Sequence, residues 1–270
     1  MKIGTTSFAF RYQFLDPAQA PSLVDMVRQT AEAGIHRLQI CENTRPLQTP
    51  LSEWKSVALA GEELGVELHM GMKTTDVNTF RAYMERAEIL GSRLLRVVLE
   101  NEQGVPATRE EALRFFDAAL PMTEAGGFRL ALENYFGIPC HSLAEWCAAY
   151  PADRLGFCID SANSLRKFER LEEVLELLSA RPFCWHVKDW KMQGSDVGFT
   201  VSGALLGTGD LPLDALVAHI FRTDPEPHVY LENWPPATGN RETDIATDRH
   251  YLEQAIIGWT AAVKRWEDKQ

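Results

Sequence analysis

Short runs rich in β-branched and aliphatic residues recur along the chain at 2–6, 37–41, 66–71, 94–99, 128–133, 155–160, 183–187 and 228–232. Between them apolar residues repeat at helical spacing: Leu23, Val27 and Ala31, then Phe80, Met84, Ala87 and Leu90, then Leu171, Val174, Leu175 and Leu178. The first seven runs start about 27 to 35 residues apart, room for a strand, a crossover helix and two loops, so each strand should run parallel to the next. Glycines stand where helices should stop, as in AEAGIH, GEELGV, AEILGS and TEAGGF. Eight such units predict an α/β fold, a (β/α)8 TIM barrel with an outer ring of helices, as one domain over 1–270. One segment breaks the period: residues 190–209 lengthen the seventh unit and carry several glycines, which reads either as a tolerated surface insertion or as a loop or lid over the site.

Length and composition sharpen this picture. A chain of 270 residues, 45% hydrophobic, buries a sizeable core and is used almost whole by such a barrel. Its 27 basic against 38 acidic residues give a formal charge of −11, which opposes a broad grip on nucleic acid or an anionic bilayer. Cys41, Cys140, Cys147, Cys158 and Cys184 form no CxxC pair, and no stretch nears the ~18 apolar residues of a membrane span. The start, MKIGTTSFAF, alternates like a strand rather than a signal peptide, and the expected location is cytoplasmic.

The chemistry gathers at the ends of the last four barrel strands. Glu133 in LALENY, Asp160 in LGFCID, His186 in FCWHVKD and Glu232 in VYLENW each follow an apolar run, which would deliver them to one rim. Each alone has a plain structural explanation: a rim ion pair for the glutamates, a helix cap for Asp160, a satisfied buried imidazole for His186. Four in succession point instead to one divalent ion, for which three carboxylates and an imidazole favour Mn²⁺, Mg²⁺ or Co²⁺ over Zn²⁺. Earlier strands end near Arg11, Glu42 and Arg45, His69 and Lys73, and Glu100. The cations Arg11, Arg45, Lys73 and Lys188 would suit an anionic substrate, although exposed loops also carry Lys and Arg. Aromatic residues Phe8, Tyr135, Trp190 and Trp234 fall near the same rim.

The series ENY, DSAN, HVKD and LEN, followed by LLGTGDLPL, resembles the xylose isomerase-like barrel superfamily of sugar isomerases and epimerases. The resemblance implies that Glu133, Asp160, His186 and Glu232 bind one divalent ion, with Glu133 and Glu232 as acid and base. It places Lys188 beside the metal and Asn163 where some epimerases have histidine. No arginine follows the seventh strand, where ketose 3-epimerases bind substrate. Arg11, Glu42, Arg45, Lys73 and Asn163 are the candidate substrate contacts.

The expected activity is isomerisation or epimerisation of a sugar or sugar acid through a metal-stabilised enediolate. The alternative is decarboxylation of a 3-oxo sugar acid such as 3-oxoisoapionate, with dehydration of a cyclic polyol as a third course. A repair endonuclease of this fold would bring more histidines to the rim, and a barrel that only binds sugar would not keep all four ligands. The expected partner is a small sugar or sugar acid, with no nucleic acid and no membrane, and a homo-oligomer is left open.

Overall fold

The computed structural model describes residues 2–270. Eight parallel strands close into a barrel: β1 (Gly4–Thr6), β2 (Arg37–Ile40), β3 (Glu67–Lys73), β4 (Leu94–Val98), β5 (Arg129–Glu133), β6 (Leu155–Asp160), β7 (Pro182–Val187) and β10 (Val229–Leu231), which pairs back onto β1. The helices α1 (Leu23–Glu32), α2 (Leu51–Leu64), α3 (Val77–Ile89), α4 (Arg109–Gly126), α5 (Cys140–Cys147), α6 (Leu171–Leu178) and α7 (Leu213–Thr223) alternate with them, and α8 (Arg241–Glu267) follows β10. Helices end where the glycines predict: Gly65 and Gly127 close α2 and α4 at φ +68° and +67°, a left-handed turn that only glycine adopts without strain.

Strand alternation divides the core in two. Outward residues such as Leu95, Val97, Leu130, Leu132, Phe157, Trp185 and Leu231 pack against the helices. Trp54 of α2 and Trp259 of α8 are fully buried in that layer, where truncation to alanine costs about 3–5 kcal/mol. Inward residues Leu94, Ala131, Cys158, Cys184 and Tyr230 form a separate small cluster inside the barrel. All five cysteines are free and buried. No helix among the described residues is long and apolar enough to cross a membrane.

The 190–209 segment is not an irregular loop. It forms an antiparallel ribbon of β8 (Asp189–Ser195) and β9 (Gly198–Ala204), paired from Asp189↔Ala204 to Ser195↔Gly198. Asp189 anchors its base: its carboxylate accepts from the backbone N–H groups of Trp190, Gly207, Gly209 and Leu211 at 2.7–3.0 Å. A Cβ on Gly209 would lie 2.2 Å from Asp189 Oδ1, so that loop closes on the carboxylate only with glycine there.

Candidate active site

Two residues beyond each member of the inner apolar cluster, the alternation turns a polar side chain into the barrel: Arg96 on β4, Glu133 on β5, Asp160 on β6, His186 on β7 and Glu232 after β10. The register sets Asp160 beside His186, and His186 beside Tyr230. All five are buried at the C-terminal mouth, the face on which barrel enzymes carry their chemistry.

The four expected ligands do converge. One ligand atom each from Glu133, Asp160 and His186 lies within 4.8 Å of the other two. His186 Nδ1 stands 3.2 Å from Glu232 Oε1 and 3.7 Å from Glu133 Oε2. Gln39 on β2 accepts from His186 Nε2 at 3.1 Å, which leaves the Nδ1 lone pair facing the carboxylates. Asp160 divides its work: Oδ1 accepts from the N–H groups of Ala162 and Asn163, the capping role open to it, while Oδ2 faces the cluster. Asn134 clasps the backbone of Asp160 through both its N–H and its carbonyl. Asn163 donates to Glu133 Oε1 at 2.7 Å, and Thr6 to Glu232 Oε1 at 2.8 Å.

Two buried cations hold the carboxylates apart. Arg96 lies 2.7 Å from Glu133 and 3.0 Å from Glu42, and Lys188 Nζ lies 2.8 Å from Asp160 Oδ2 and 2.9 Å from Glu232 Oε2. Burial opposes the Lys188 charge, but Asp160, Glu232 and Glu133 outweigh it and raise its pKa. Burial pushes Glu133 up to about 8 despite Arg96, with Glu232 and Asp160 adding to the rise. Burial also raises Asp160 against the pull of Lys188. For Glu232 burial is overcome, chiefly by the charge and hydrogen bond of Lys188, and the carboxyl is held well below its usual range. Burial lowers His186 to about 3, so its imidazole is neutral at neutral pH.

A divalent ion fits this donor set. His186 Nδ1 is buried with no hydrogen-bond partner and faces Glu133 Oε2 and Glu232 Oε1, the placement of an imidazole nitrogen that shares an ion with carboxylates. Three carboxylates face Arg96 and Lys188, and Glu42 adds a fourth behind Arg96, so negative charge remains for the ion.

The adjoining pocket, about 180 Å³, is lined by Phe8, Arg11, Tyr135, Phe136, Asn163 and Trp234 together with Arg96, Glu133, Lys188 and Glu232. That is below the ~300 Å³ at which sites for larger ligands begin, so the occupant is small. Glu42, Arg45 and Lys73 instead line a neighbouring cavity of about 550 Å³. The Arg45 guanidinium binds the carbonyls of Phe14 and Leu15, while Lys73 contacts Glu100 and donates to the Tyr135 hydroxyl at 2.8 Å. His69 is a correction: it does not reach this rim but lies near the opposite mouth with Glu67, because it stands four residues before the strand's last residue, Lys73.

Arg96 and Gln39 were not among the expected site residues. Their signal is a polar side chain inside LLRVV and RLQI, runs whose neighbours are buried on both faces of the sheet. Gly71 makes room for both: a Cβ there would meet Cys41 Sγ at 2.8 Å, Gln39 Oε1 at 3.3 Å and Arg96 Cζ at 3.5 Å.

Known proteins share this architecture. The chain is 30% identical over 259 residues, 93% of its length and 94% of the relative's, to 3-oxo-isoapionate decarboxylase from Pectobacterium atrosepticum. The fold matches D-psicose 3-epimerase from Clostridium cellulolyticum H10 with a TM-score of 0.74 at 11% identity, covering 97% of this chain and 99% of that one. It also matches a xylose isomerase-like TIM barrel protein from Mycobacterium smegmatis, solved in complex with magnesium, with a TM-score of 0.70 at 14% identity and 97% coverage of both chains. Residues 72–255 match the model for xylose isomerase-like TIM barrels, and these residues include Glu133, Asp160, His186 and Glu232. With the barrel, its C-terminal polar cluster and the nearly full-length relative in agreement, the chain belongs to the xylose isomerase-like TIM barrel family of enzymes.

Proposed function

We propose that this chain is a divalent-metal-dependent carboxy-lyase acting on a 3-oxo sugar acid, with 3-oxo-isoapionate the first substrate to try. The carrying observation is that both glutamates facing the pocket are paired with buried cations, Glu133 with Arg96 and Glu232 with Lys188. An isomerase needs a free carboxylate to take a proton from carbon; loss of CO₂ from a 3-oxo acid needs no base, only stabilisation of the charge left behind. The near full-length likeness to a decarboxylase supports the same reading.

The roles follow from position. Glu133, Asp160, His186 and Glu232 would hold the ion, which supplies Lewis-acid polarisation of the 3-oxo group. Arg11 lines the pocket and offers its charge to the substrate anion. Asn163 keeps Glu133 oriented through its 2.7 Å hydrogen bond. In the reaction the C1–C2 bond breaks, its electron pair becomes the C2–C3 enolate as CO₂ departs, and C2 then takes a proton. The ammonium of Lys188, which lines the pocket, is the donor. Aromatic faces of Phe8, Phe136 and Trp234 limit water around the enolate.

A sugar isomerase or epimerase is the second reading, favoured by the fold of the psicose epimerase and by two glutamates on one pocket. There Glu133 and Glu232 would act as base and acid. A panel of 3-oxo sugar acids and ketoses, assayed with Mn²⁺, Mg²⁺ or Co²⁺ and again with chelator, separates the two. The lyase reading expects metal-dependent CO₂ from an oxo acid, lost by about 10²-fold or more in Lys188→Met. Ketose interconversion with no CO₂ from any oxo acid would overturn it.

A further inference from the structure

The opposite mouth of the barrel carries a second polar cluster. Glu67 and His69 of β3 and His228, directly before β10, each place one ligand atom within 4.8 Å of the other two. Glu67 Oε1 and His69 Nε2 are 3.1 Å apart. Two ligands bonded to one zinc ion at ~2.0–2.1 Å each, near the tetrahedral angle, lie about 3.3 Å apart. The pair is therefore already spaced for one ion.

Outer contacts hold both groups in place. Arg37 Nε grips Glu67 Oε2 at 2.9 Å, and the Tyr230 hydroxyl contacts His69 Nδ1, leaving Glu67 Oε1 and His69 Nε2 as the inner atoms. The His228 ring stacks on His69 with centroids 5.4 Å apart, and its Nδ1 is buried with no hydrogen-bond partner. A purely hydrogen-bonded chain through Tyr230, His69, Glu67 and Arg37 accounts for the first two groups but leaves His228 Nδ1 orphaned. The cluster opens on a cavity of about 720 Å³, with room for a water as fourth ligand.

We propose that Glu67, His69 and His228 form a second divalent-metal site, selective for zinc, at the N-terminal mouth of the barrel. Two imidazoles and one carboxylate suit zinc far better than magnesium or calcium, whereas the carboxylate-rich centre at the other mouth suits harder ions. Strands β3 and β10 are not neighbours, being separated by β1 and β2. An ion held by both would clasp the barrel across its mouth.

The test counts zinc on chelator-stripped full-length protein titrated with Zn²⁺ against a competing chromophoric chelator. The unaltered protein should bind one equivalent more than His228→Asn or Glu67→Gln. In an Asp160→Asn/His186→Asn background, which removes the other centre, one equivalent should remain and zinc should still raise the melting temperature, both effects vanishing on adding His228→Asn. Equal zinc content in the unaltered protein and both single variants would overturn the proposal. A crystal of the unaltered protein soaked in zinc avoids any folding defect: anomalous density between the three residues is expected, and its absence at saturating zinc overturns the site.

Discussion

Replacing Arg96 by methionine should destabilise the protein far more than a loss of packing would. The guanidinium is 2% exposed and lies 2.7 Å from Glu133, itself 2% exposed, and 3.0 Å from the more accessible Glu42. At an effective dielectric constant near 20, unit charges about 4 Å apart attract by about 4 kcal/mol. Above the Glu133 pKa of about 8, methionine fills much of the volume but leaves an ionised Glu133 buried without its counter-charge, a loss that typically costs about 3–5 kcal/mol. In a chain of this length that lowers the melting temperature by roughly 6–20 °C. Urea unfolding in chelator at a pH above the Glu133 pKa of about 8, followed by tryptophan fluorescence, reads the difference without a contribution from bound metal. The decisive control is Arg96→Met with Glu133→Gln: neutralising the stranded carboxylate should recover at least half of the loss. A penalty under ~1 kcal/mol for the single variant, or no recovery in the double, would refute the assignment of Arg96 as the buried partner of Glu133.

Metal binding should depend on pH through Glu133. Its pKa is raised to about 8 while His186 is lowered to about 3, so near neutrality His186 is already neutral and Glu133 must lose a proton to bind. Calorimetric titration with Mn²⁺ should show affinity rising about tenfold per pH unit from ~6 to ~8 and levelling above; a flat profile would contradict it. Gln39→Leu removes the acceptor at 3.1 Å that orients His186 and should weaken metal binding by ~10–100-fold, with Gln39→Glu retaining most of it; equal loss in both would refute the orienting role. Arg11→Gln should raise KM for the sugar acid by about tenfold or more while metal affinity stays unchanged, since Arg11 lines the pocket but no carboxylate of the metal cluster pairs with it; an unchanged KM would remove it from substrate binding.

The barrel was legible because its signals are local and repeated. Runs ending in Glu133, Asp160, His186 and Glu232 recur with glycines at the helix ends, and parallel strands deliver such residues to a common rim. Arg96 and Gln39 were less legible, since their importance lies in contacts with Glu133 and His186, residues 37 and 147 positions away. His69 misled because nearness to Lys73 in sequence does not mean nearness in depth: four residues along a strand span about 13 Å, enough to move from one mouth toward the other. The ribbon at 189–204 hid because glycine interrupts its β-branched alternation, and it became visible only through its pairing and the Asp189 anchor.

The central claim is that a metal-loaded cluster at the C-terminal mouth removes CO₂ from a 3-oxo sugar acid and protonates the carbon left behind. Mass spectrometry of the product formed from 3-oxo-isoapionate in D₂O with Mn²⁺ tests both halves at once. The account predicts a product lighter by one CO₂ with one solvent deuterium on carbon, formed only while the metal is present. A product that keeps its carboxylate and differs from the substrate only by isomerisation and deuterium uptake would contradict it.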